Sequence, residues 1–290
     1  MKHAILILGA AHTGNLEHLV NLLDDPQIDI FLHWDKSSKV KLDEEMQQPY
    51  FKHINLVPRV NVSWGGSNTL DALTTMFKTA TAHDEYDYLH LISDTDLPLM
   101  SKTYFLQFFA NAKHRNFIGF ANQGVASTEE VNRIKYYYPF MNLNMERLKK
   151  IKLAGLGKKI QMRLNVSRSK LSDFKIAKGA LWGSFTGAFA AYVVSDEVQQ
   201  IKQDLFSMSD RGDELFFQML AINSDFESTI DVETDENKAS ARYIDWHRGT
   251  PFTFLDADLN EITNVYNTNY AFGRKFIDAA QIVNYLYEHK

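Results

Sequence analysis

The chain has 290 residues, with 31 lysines and arginines against 36 aspartates and glutamates, for a formal net charge of −5. This length can bury a sizeable core, and the acidic balance gives no reason to expect nucleic acid as a partner. Cysteine is absent, which excludes disulfides and thiolate metal sites and favours a reducing cytoplasm. No stretch reaches the roughly 20 apolar residues of a membrane span, so we expect a soluble protein.

The first third of the chain alternates short apolar runs with helical patterns. Leucines at helical spacing predict two helices, Asn15–Asp24 and Thr69–Thr81. The apolar runs predict strands at Ala4–Leu8, Ile28–His33, Asn55–Val57, Val60–Val62 and Tyr86–Ile92. This alternation predicts an α/β fold with a mostly parallel, twisted sheet flanked by helices. Ligands of such sheets bind beyond the carboxyl ends of the strands.

The middle of the chain, residues 133–178, is rich in lysine, arginine, tyrosine and asparagine. It has two interpretations: a solvated basic helix and loop, or a flexible element that contacts a substrate or an anionic surface such as a membrane. Beyond it we predict a strand at Phe189–Val194 and a helix capped by Ser195. Because no linker separates two autonomous parts, we predict a single domain over residues 1–290.

Two aspartates follow the strand predicted at Tyr86–Ile92, in the sequence Asp94-Thr95-Asp96. Carboxylates at this spacing can hold Mg²⁺ or Mn²⁺ against a diphosphate. The same tripeptide is also common in turns. Its position at the end of a strand is what favours a role in binding a ligand.

Other polar and aromatic residues lie near predicted strand ends in the first third. Asp35 follows the second strand, where its carboxylate could accept hydrogen bonds from a ribose or a base, or simply hold a turn. Trp64, before two glycines, could stack on a base or sugar, although a half-buried core position is the commoner fate of tryptophan. His12 lies near the end of the first strand, and no spacing of histidines indicates a transition-metal site.

The last third supplies a candidate base and candidate cations. Glu214 follows Asp213 and precedes an apolar run, which predicts the first turn of a buried helix with both carboxylates at its positive end. This arrangement can serve stability alone, or the carboxylate can act as a general base. Arg274 and Lys275 are rim charges by default, and phosphate ligands in the other interpretation. Arg248, after the predicted strand at Tyr243–Trp246, is a second candidate phosphate ligand.

Taken in chain order, these segments resemble the core-2/I-branching β-1,6-N-acetylglucosaminyltransferase family, which includes the peptide O-xylosyltransferases. The resemblance covers most of the chain, but residues 141–178 carry no family landmark, and Gly179-Ala180-Leu181-Trp182-Gly183 keeps only the glycine and tryptophan of the family pattern there. The matching segments are Ile5–His12, Ile30–Ser37, Val62–Gly66, Tyr86–Leu99, Asp213–Gln218, Tyr243–Trp246 and Ala271–Phe276.

The resemblance implies a GT-A-type fold and an inverting glycosyltransferase, which moves a sugar such as N-acetylglucosamine or a related hexose or pentose from a UDP-sugar to a hydroxyl of a glycan acceptor. Residues 1–125 would form the nucleotide-sugar-binding half and residues 126–290 the acceptor and catalytic half. The family base falls on Glu214 and the family diphosphate-binding lysine on Lys275. Its partner arginine falls on Arg248 or Arg274, and the donor-site aspartate on Asp35, with His12, Trp64 and Asp96 as further donor-site candidates.

The resemblance also implies that no metal is required, because cations contact the diphosphate directly. Asp94 and Asp96 keep one alternative open, a metal-dependent GT-A glycosyltransferase that holds Mn²⁺ or Mg²⁺ with this pair. A second alternative is a non-catalytic protein that binds sugar nucleotides or glycans. Animal relatives are disulfide-rich Golgi membrane proteins, whereas this chain has no cysteine. We therefore expect a bacterial, cytoplasmic member at the inner face of the membrane, acting on a growing polysaccharide.

Overall fold

The structure is a computed structural model that describes residues 1–232 and 234–290. The strands are β1 (His3–Gly9), β2 (Ile28–Trp34), β3 (Ile54–Leu56), β4 (Tyr88–Ser93), β5 (Asp96–Pro98), β6 (Gly183–Thr186), β7 (Arg242–Ile244) and β8 (Phe272–Arg274). The α-helices are α1 (Leu16–Leu22), α2 (Asn68–His83), α3 (Lys102–Ala110), α4 (Thr128–Lys135), α5 (Arg147–Arg163), α6 (Gly187–Val193), α7 (Asp196–Ile201), α8 (Asp213–Ile222), α9 (Glu236–Ser240), α10 (Leu259–Val265) and α11 (Ala280–Glu288). A π-helical turn, Lys202–Phe206, follows α7.

A five-stranded sheet with the order β3-β2-β1-β4-β6 lies at the centre of the fold. Strands β1 to β4 are parallel to their neighbours, and β6 runs antiparallel to β4 at one edge. The mostly parallel sheet predicted from the sequence is confirmed. Because the parallel strands run in one direction, the residues that follow Gly9, Trp34 and Ser93 meet at one edge.

Helices cover both faces of this sheet. Along β1, Ala4 and Leu6 pack into one core with α2, α6 and α8, whereas Ile5 and Ile7 pack into another with α1 and α3. This alternation follows from the two-residue period of a strand. Strands buried on both faces are therefore apolar throughout, which explains why the apolar runs of β1, β2 and β4 were readable in the sequence.

A second sheet, with the order β5-β8-β7, adjoins the carboxyl edge of the first. Fully buried Arg242 connects the two sheets, because its NH2 donates to the carbonyl oxygens of Leu91 at 3.2 Å and Gly183 at 2.6 Å. Its NH1 donates to Ser184 Oγ at 3.1 Å. The guanidinium of Arg242, which belongs to β7, thus bonds to groups of β4 and β6, and this fixes the second sheet against the first.

Two predicted strands are wrong. Phe189–Val194 lies mostly in helix α6, where Thr186 caps the first turn by accepting from the backbone of Phe189 at 3.2 Å. Its buried residues, Phe189, Ala190 and Val193, have helical rather than alternating spacing. Val60–Val62 is extended backbone outside the ladder, since Val60 N bonds to the His33 side chain at 3.0 Å rather than to a strand. The helix predicted after Ser195 is confirmed as α7.

The basic middle of the chain is mainly helical. Helix α4 begins at a capping box, with Ser127 and Glu130 as the reciprocal partners. Helix α5 is longer, and only Lys150 and Ala154 of its residues are buried. Among the described residues, the structure contains no helix with the length and apolarity that crossing a membrane requires.

Candidate active site at the carboxyl edge of the sheet

The loop after β1 is organised by Asp94. Its Oδ2 accepts hydrogen bonds from the backbone N–H groups of Ala10 at 2.9 Å, Ala11 at 2.9 Å and His12 at 3.0 Å. Gly9, just before this loop, packs closely against Trp34, because a Cβ at position 9 would lie only 2.6 Å from the indole ring. Asp94 is therefore buried as a loop anchor, and this bonding brings His12 to the carboxyl end of β4.

Asp96 lies in the interior, next to Arg274. Its carboxylate accepts from Ser93 Oγ at 2.5 Å and from Ser93 N at 3.1 Å, and its Oδ1 lies 3.7 Å from Arg274 Nε. Burial raises the pKa of Asp96, while the charge of Arg274 and the bonds from Ser93 lower it. Asp96, a donor-site candidate from the sequence, is fully buried and faces Arg274, and its contact with a donor stays a prediction.

Pairing of β5 with β8 brings Arg274 and Lys275 to this edge. Asp96 is opposite Arg274 in the antiparallel register, and Phe276 N donates to Thr95 O at 2.8 Å. Lys275 is thereby held beside the Asp94-Thr95 turn, half-buried. Two cations from the end of the chain thus lie where the parallel strands open towards a ligand.

Arg274 has hydrogen-bonding capacity that the described protein groups do not fill. Its guanidinium stacks 4.2 Å from the centre of the Trp182 ring, and its buried Nε and NH1 have no hydrogen-bond partner among the described residues. Burial lowers the pKa of Arg274, with Asp96 acting in the opposite direction. Buried donors without acceptors carry a substantial free-energy cost, so an anionic ligand at this point would be stabilised by them.

Glu214 lies in the first turn of α8, as its sequence context predicts. Its Oε2 accepts from Arg133 NH1 at 2.6 Å and lies 3.8 Å from Lys178 Nζ. The side chain is 37% exposed, so it remains accessible to a substrate. Arg133 comes from α4 and Lys178 from the segment before β6, which means that the carboxylate is fixed by two cations from separate parts of the chain.

Asp213, beside Glu214, is a buried carboxyl. Burial, with repulsion from Glu214 as a second cause, raises the pKa of Asp213 to about 7. Its Oδ1 has no hydrogen-bond partner among the described residues. Glu236 is a third acid in this region, since its Oε1 accepts from Ala180 N at 2.5 Å and burial raises its pKa.

A short segment links the base side of the site to its cation side. Lys178 contacts Glu214, and Trp182 contacts Arg274. Four residues of fully extended chain span at most roughly 14 Å. One short backbone segment therefore connects the lysine that contacts Glu214 to the tryptophan that contacts Arg274.

Asp35 and Trp64, also predicted as donor-site residues, have structural partners. Asp35 Oδ1 accepts from Ser37 N at 2.9 Å and from Val62 N at 2.9 Å, which holds the turn after β2. Trp64 is 42% exposed rather than part of the core, and the guanidinium of Arg147 stacks 4.3 Å from its ring. Both lie at the carboxyl edge of β2 or on the loop that follows β3.

Arg248 is separated from this arrangement by its ion pairs. Its guanidinium contacts Asp245, lies 3.3 Å from Asp258 Oδ1 and 2.7 Å from Glu261 Oε2, and covers the Phe252 ring at 4.1 Å. Asp245, acting first by hydrogen bonding, raises the pKa of Arg248. Three carboxylates already neutralise this cation, which favours Arg274 as the phosphate ligand, and the choice between the two arginines stays a prediction.

The pair Asp94 and Asp96 does not fit a divalent metal. Three backbone donors use Asp94 Oδ2, while Asp96 is bonded to Ser93 and faces a guanidinium. A cation 3.7 Å from the Asp96 carboxylate opposes the approach of a second positive charge. Elsewhere in the part of the chain that the structure describes, no group of three or more histidine, aspartate and glutamate residues is arranged to hold a metal ion.

Sequence reasoning missed four residues that build this edge: Arg133, Lys178, Trp182 and Arg242. The first two lay within the basic middle segment, where composition alone does not distinguish a solvated lysine from one that pairs with a distant carboxylate. Trp182 was visible only as part of a weakly kept family pattern. Arg242 precedes a predicted strand, and its full burial has no local signal.

The mostly parallel sheet with helices on both faces and polar groups at its carboxyl edge defines a GT-A-type glycosyltransferase fold. A model of the Core-2/I-branching enzyme family matches residues 4–265. This match covers most of the chain, and the chain therefore belongs to that family of glycosyltransferases, which confirms the resemblance inferred from the sequence.

Two further comparisons add little. No curated protein matches the chain. Among solved structures, TarS of S. aureus matches with 13% identity and a TM-score of 0.28, over 47% of this chain and 25% of the TarS chain. This chain therefore spans about a quarter of the TarS chain, and a TM-score of 0.28 carries no argument about function.

Proposed function

We propose that the chain is an inverting glycosyltransferase that moves a sugar from a UDP-sugar to a hydroxyl of a glycan acceptor, with N-acetylglucosamine or a related hexose or pentose as the sugar. The observation that carries the proposal is the pairing of β5 with β8. It joins Arg274 and Lys275 to the carboxyl edge of the sheet, and the segment from Lys178 to Trp182 extends that edge to Glu214.

In the proposed reaction Glu214 is the general base. It removes the proton from the acceptor hydroxyl, whose oxygen forms a bond to the anomeric carbon as the bond from that carbon to the UDP oxygen breaks on the opposite face. The electron pair of the broken bond leaves on the β-phosphate. Arg133 and Lys178 both engage Oε2 of Glu214, and within the described part of the chain no partner is recorded for Oε1. That oxygen is therefore available to receive the proton.

Arg274 and Lys275 are the proposed ligands of the diphosphate. Arg274 NH1 has no hydrogen-bond partner among the described residues, whereas Nε faces Asp96 at 3.7 Å. The guanidinium therefore offers its NH1 side to a phosphate, which accepts charge-assisted hydrogen bonds. Two fixed cations that stabilise the charge on the departing phosphate can lower the barrier without reorganising solvent. Asp96 and Trp182 act on Arg274 rather than on the donor, since they contact its guanidinium.

The proposed reaction requires no metal, because Arg274 and Lys275 stabilise the negative charge that develops on the departing phosphate. The competing metal-dependent mechanism needs Asp94 and Asp96 to release the partners described above. The donor-site roles of His12, Asp35 and Trp64 remain proposals of the same kind: their position near the carboxyl edge supports contact with the nucleotide. We further propose a cytoplasmic, bacterial polysaccharide as the acceptor, on the basis of the family and the cysteine-free composition.

Thermal-shift binding of UDP and a panel of UDP-sugars tests the proposal, with either EDTA or Mn²⁺ present. A ligand that binds the folded state raises the melting temperature by mass action. We expect a UDP-selective rise that survives EDTA, together with sugar transfer. A rise that appears only with Mn²⁺ would assign the site to Asp94 and Asp96. Binding of a UDP-sugar without any turnover would favour the non-catalytic alternative, and no response to uridine nucleotides would refute the donor site.

A further inference from the structure

Helix α5 carries an unusual combination of positive charge and exposed apolar surface. It contains no aspartate or glutamate, and its cations are Arg147, Lys149, Lys150, Lys152, Lys158, Lys159 and Arg163. Six of its apolar side chains are exposed, namely Leu148, Ile151, Leu153, Leu156, Ile160 and Met162, with Leu148 reaching 73%. In a chain of net charge −5, this helix is a local positive surface.

The helix is held to the rest of the protein largely by polar contacts. Lys150 Nζ donates to Met141 O at 2.7 Å, and Lys158 pairs with Glu129 at 2.7 Å. Gln161 bonds to the backbone of Tyr137 through both its oxygen and its nitrogen. Beneath the helix lies a cavity of about 180 Å³ lined by Ile151 and Lys158 among others. Of the apolar side chains of α5, Ala154 packs with Tyr136, Tyr138 and Met141, and the six exposed ones take no part in that packing.

We propose that α5 is a docking surface for an anionic lipid bilayer. Apolar and basic side chains are interleaved around α5 rather than separated into two faces. On the side that meets the bilayer, leucine, isoleucine and methionine side chains gain free energy by entering the interfacial region, and the long lysine and arginine side chains reach back to the headgroups. An anionic leaflet attracts clusters of basic residues near its surface. A helix of 17 residues is about 25 Å long, which suits a helix lying in the plane of the membrane rather than crossing it.

Charge and apolarity together select this partner over two others. A polyanion such as a charged polysaccharide would pair with the cations but leave the exposed leucines in water. A second copy of the chain, in a symmetric contact, would present its own basic α5, so that like charges would face each other. An anionic bilayer offers both the negative charge and the apolar phase.

The docking surface is connected to the proposed base. Lys158 of α5 pairs with Glu129 of α4, and Arg133 of the same helix α4 donates to Glu214. A docked protein would therefore hold the Glu214 side of its site near the membrane, which suits an acceptor chain that is anchored there. This consequence depends on the proposed function, whereas bilayer binding itself does not.

Vesicle sedimentation with the full chain tests the inference, using phosphatidylcholine vesicles with and without phosphatidylglycerol. Two variants probe α5: a charge variant (K152E, K159E and R163E) and an apolar variant (L148Q, L156Q and I160Q). All six residues are exposed, and none of the three cations forms an ion pair with another described residue, so the fold should persist. Matched controls lie elsewhere on the surface: K39E, K41E and K113E for charge, and M46Q, V125Q and L255Q for apolarity.

We expect binding to vesicles that contain phosphatidylglycerol, and at least about a hundredfold weaker binding for the charge variant. The apolar variant should also bind more weakly, while both controls keep their binding. Equal losses in the control and α5 charge variants would overturn the inference, as would an apolar variant that binds normally, because adsorption would then depend on charge alone. A concentration-dependent dimer abolished by the apolar variant, without vesicle binding, would instead assign α5 to self-association. The proposed function predicts that the UDP-induced thermal shift is the same in every variant. This shift therefore tests the donor site independently of bilayer binding.

Discussion

Arg133 donates a hydrogen bond of 2.6 Å to Glu214 across 81 residues of sequence. The contact joins α4, in the basic middle of the chain, to the first turn of α8. A carboxylate fixed in this way has a defined orientation, and orientation is a large part of the efficiency of a catalytic group.

Replacing Glu214 by glutamine should remove the base and keep the shape of the side chain. We expect turnover of the UDP-sugar to fall roughly 10²–10⁴-fold, while the affinity for UDP stays unchanged, because the nucleotide contacts other residues. Steady-state kinetics and UDP titration measure the two quantities. The control is Glu44→Gln, at an exposed glutamate. Normal turnover by Glu214→Gln would show that another group removes the proton.

Replacing Lys275 by alanine should weaken UDP binding. Loss of a hydrogen bond to a charged group costs about 1.5–3 kcal/mol, which corresponds to roughly 10- to 150-fold in dissociation constant. Isothermal titration with UDP measures this change, and Lys275→Arg should recover much of it by restoring the charge. Lys113→Ala, at an exposed lysine, serves as the control. An unchanged UDP affinity in Lys275→Ala would argue against the contact with the diphosphate.

Replacing Arg248 by alanine should affect stability rather than donor binding. The substitution leaves Asp245, Asp258 and Glu261 without the cation between them, so repulsion among the carboxylates should lower the melting temperature. The affinity for UDP should remain within about twofold of the original, since a change that small lies below the typical contribution of one hydrogen bond. If this variant instead loses UDP binding with an unchanged melting temperature, Arg248 and not Arg274 would be the partner of Lys275.

The buried carboxyl of Asp213 predicts a pH-dependent stability. Its pKa is about 7 in the folded protein and 3.8 as the reference value for an unfolded chain. The folded state therefore binds more protons between these values, and this residue makes the protein less stable as pH rises through that range. Asp213→Asn removes the effect, so its stability gain over the original protein should grow by about 1.4 kcal/mol per pH unit up to about pH 7, and then stay constant.

Chemical denaturation at several pH values measures this gain. Asp43→Asn, at an exposed aspartate, serves as the control. A gain for Asp213→Asn that is the same at pH 5 and pH 8 would mean that the carboxyl titrates alike in the folded and unfolded chains.

The sequence predicted those parts of the fold whose signals are local. The apolar runs of β1, β2 and β4 follow from burial on both faces, and the pattern around Glu214 predicted the start of α8. The prediction of a strand in place of helix α6 was wrong, because Phe189–Val194 is a short apolar run. In such a run the spacing of apolar residues does not distinguish a helix from a strand. Its cap, Thr186, lies before the run and was the signal that could have corrected the prediction.

The site depends on contacts that no local pattern encodes. The pairing of β5 with β8, which brings Arg274 to Asp96, joins segments that are far apart in the sequence. Whether a lysine or arginine in the basic middle is solvated or paired likewise depends on tertiary structure, as Arg133 and Lys178 show. The sequence identified the Asp94-Thr95-Asp96 motif. Only the three-dimensional structure shows that Asp94 anchors the loop after β1 and that Asp96 is the counter-ion of Arg274.

The late position of β8 in the chain also affects how the protein is made on the ribosome. All five strands of the central sheet are complete once Thr186 has been synthesised, whereas β5 has no partner strand until Phe272–Arg274 appears. Because a domain generally folds as a unit, the edge that carries both candidate phosphate ligands cannot be completed until this last strand has emerged. A nascent or truncated chain that stops before Phe272 has the scaffold but not these cations, so the complete candidate site arises only near the end of translation.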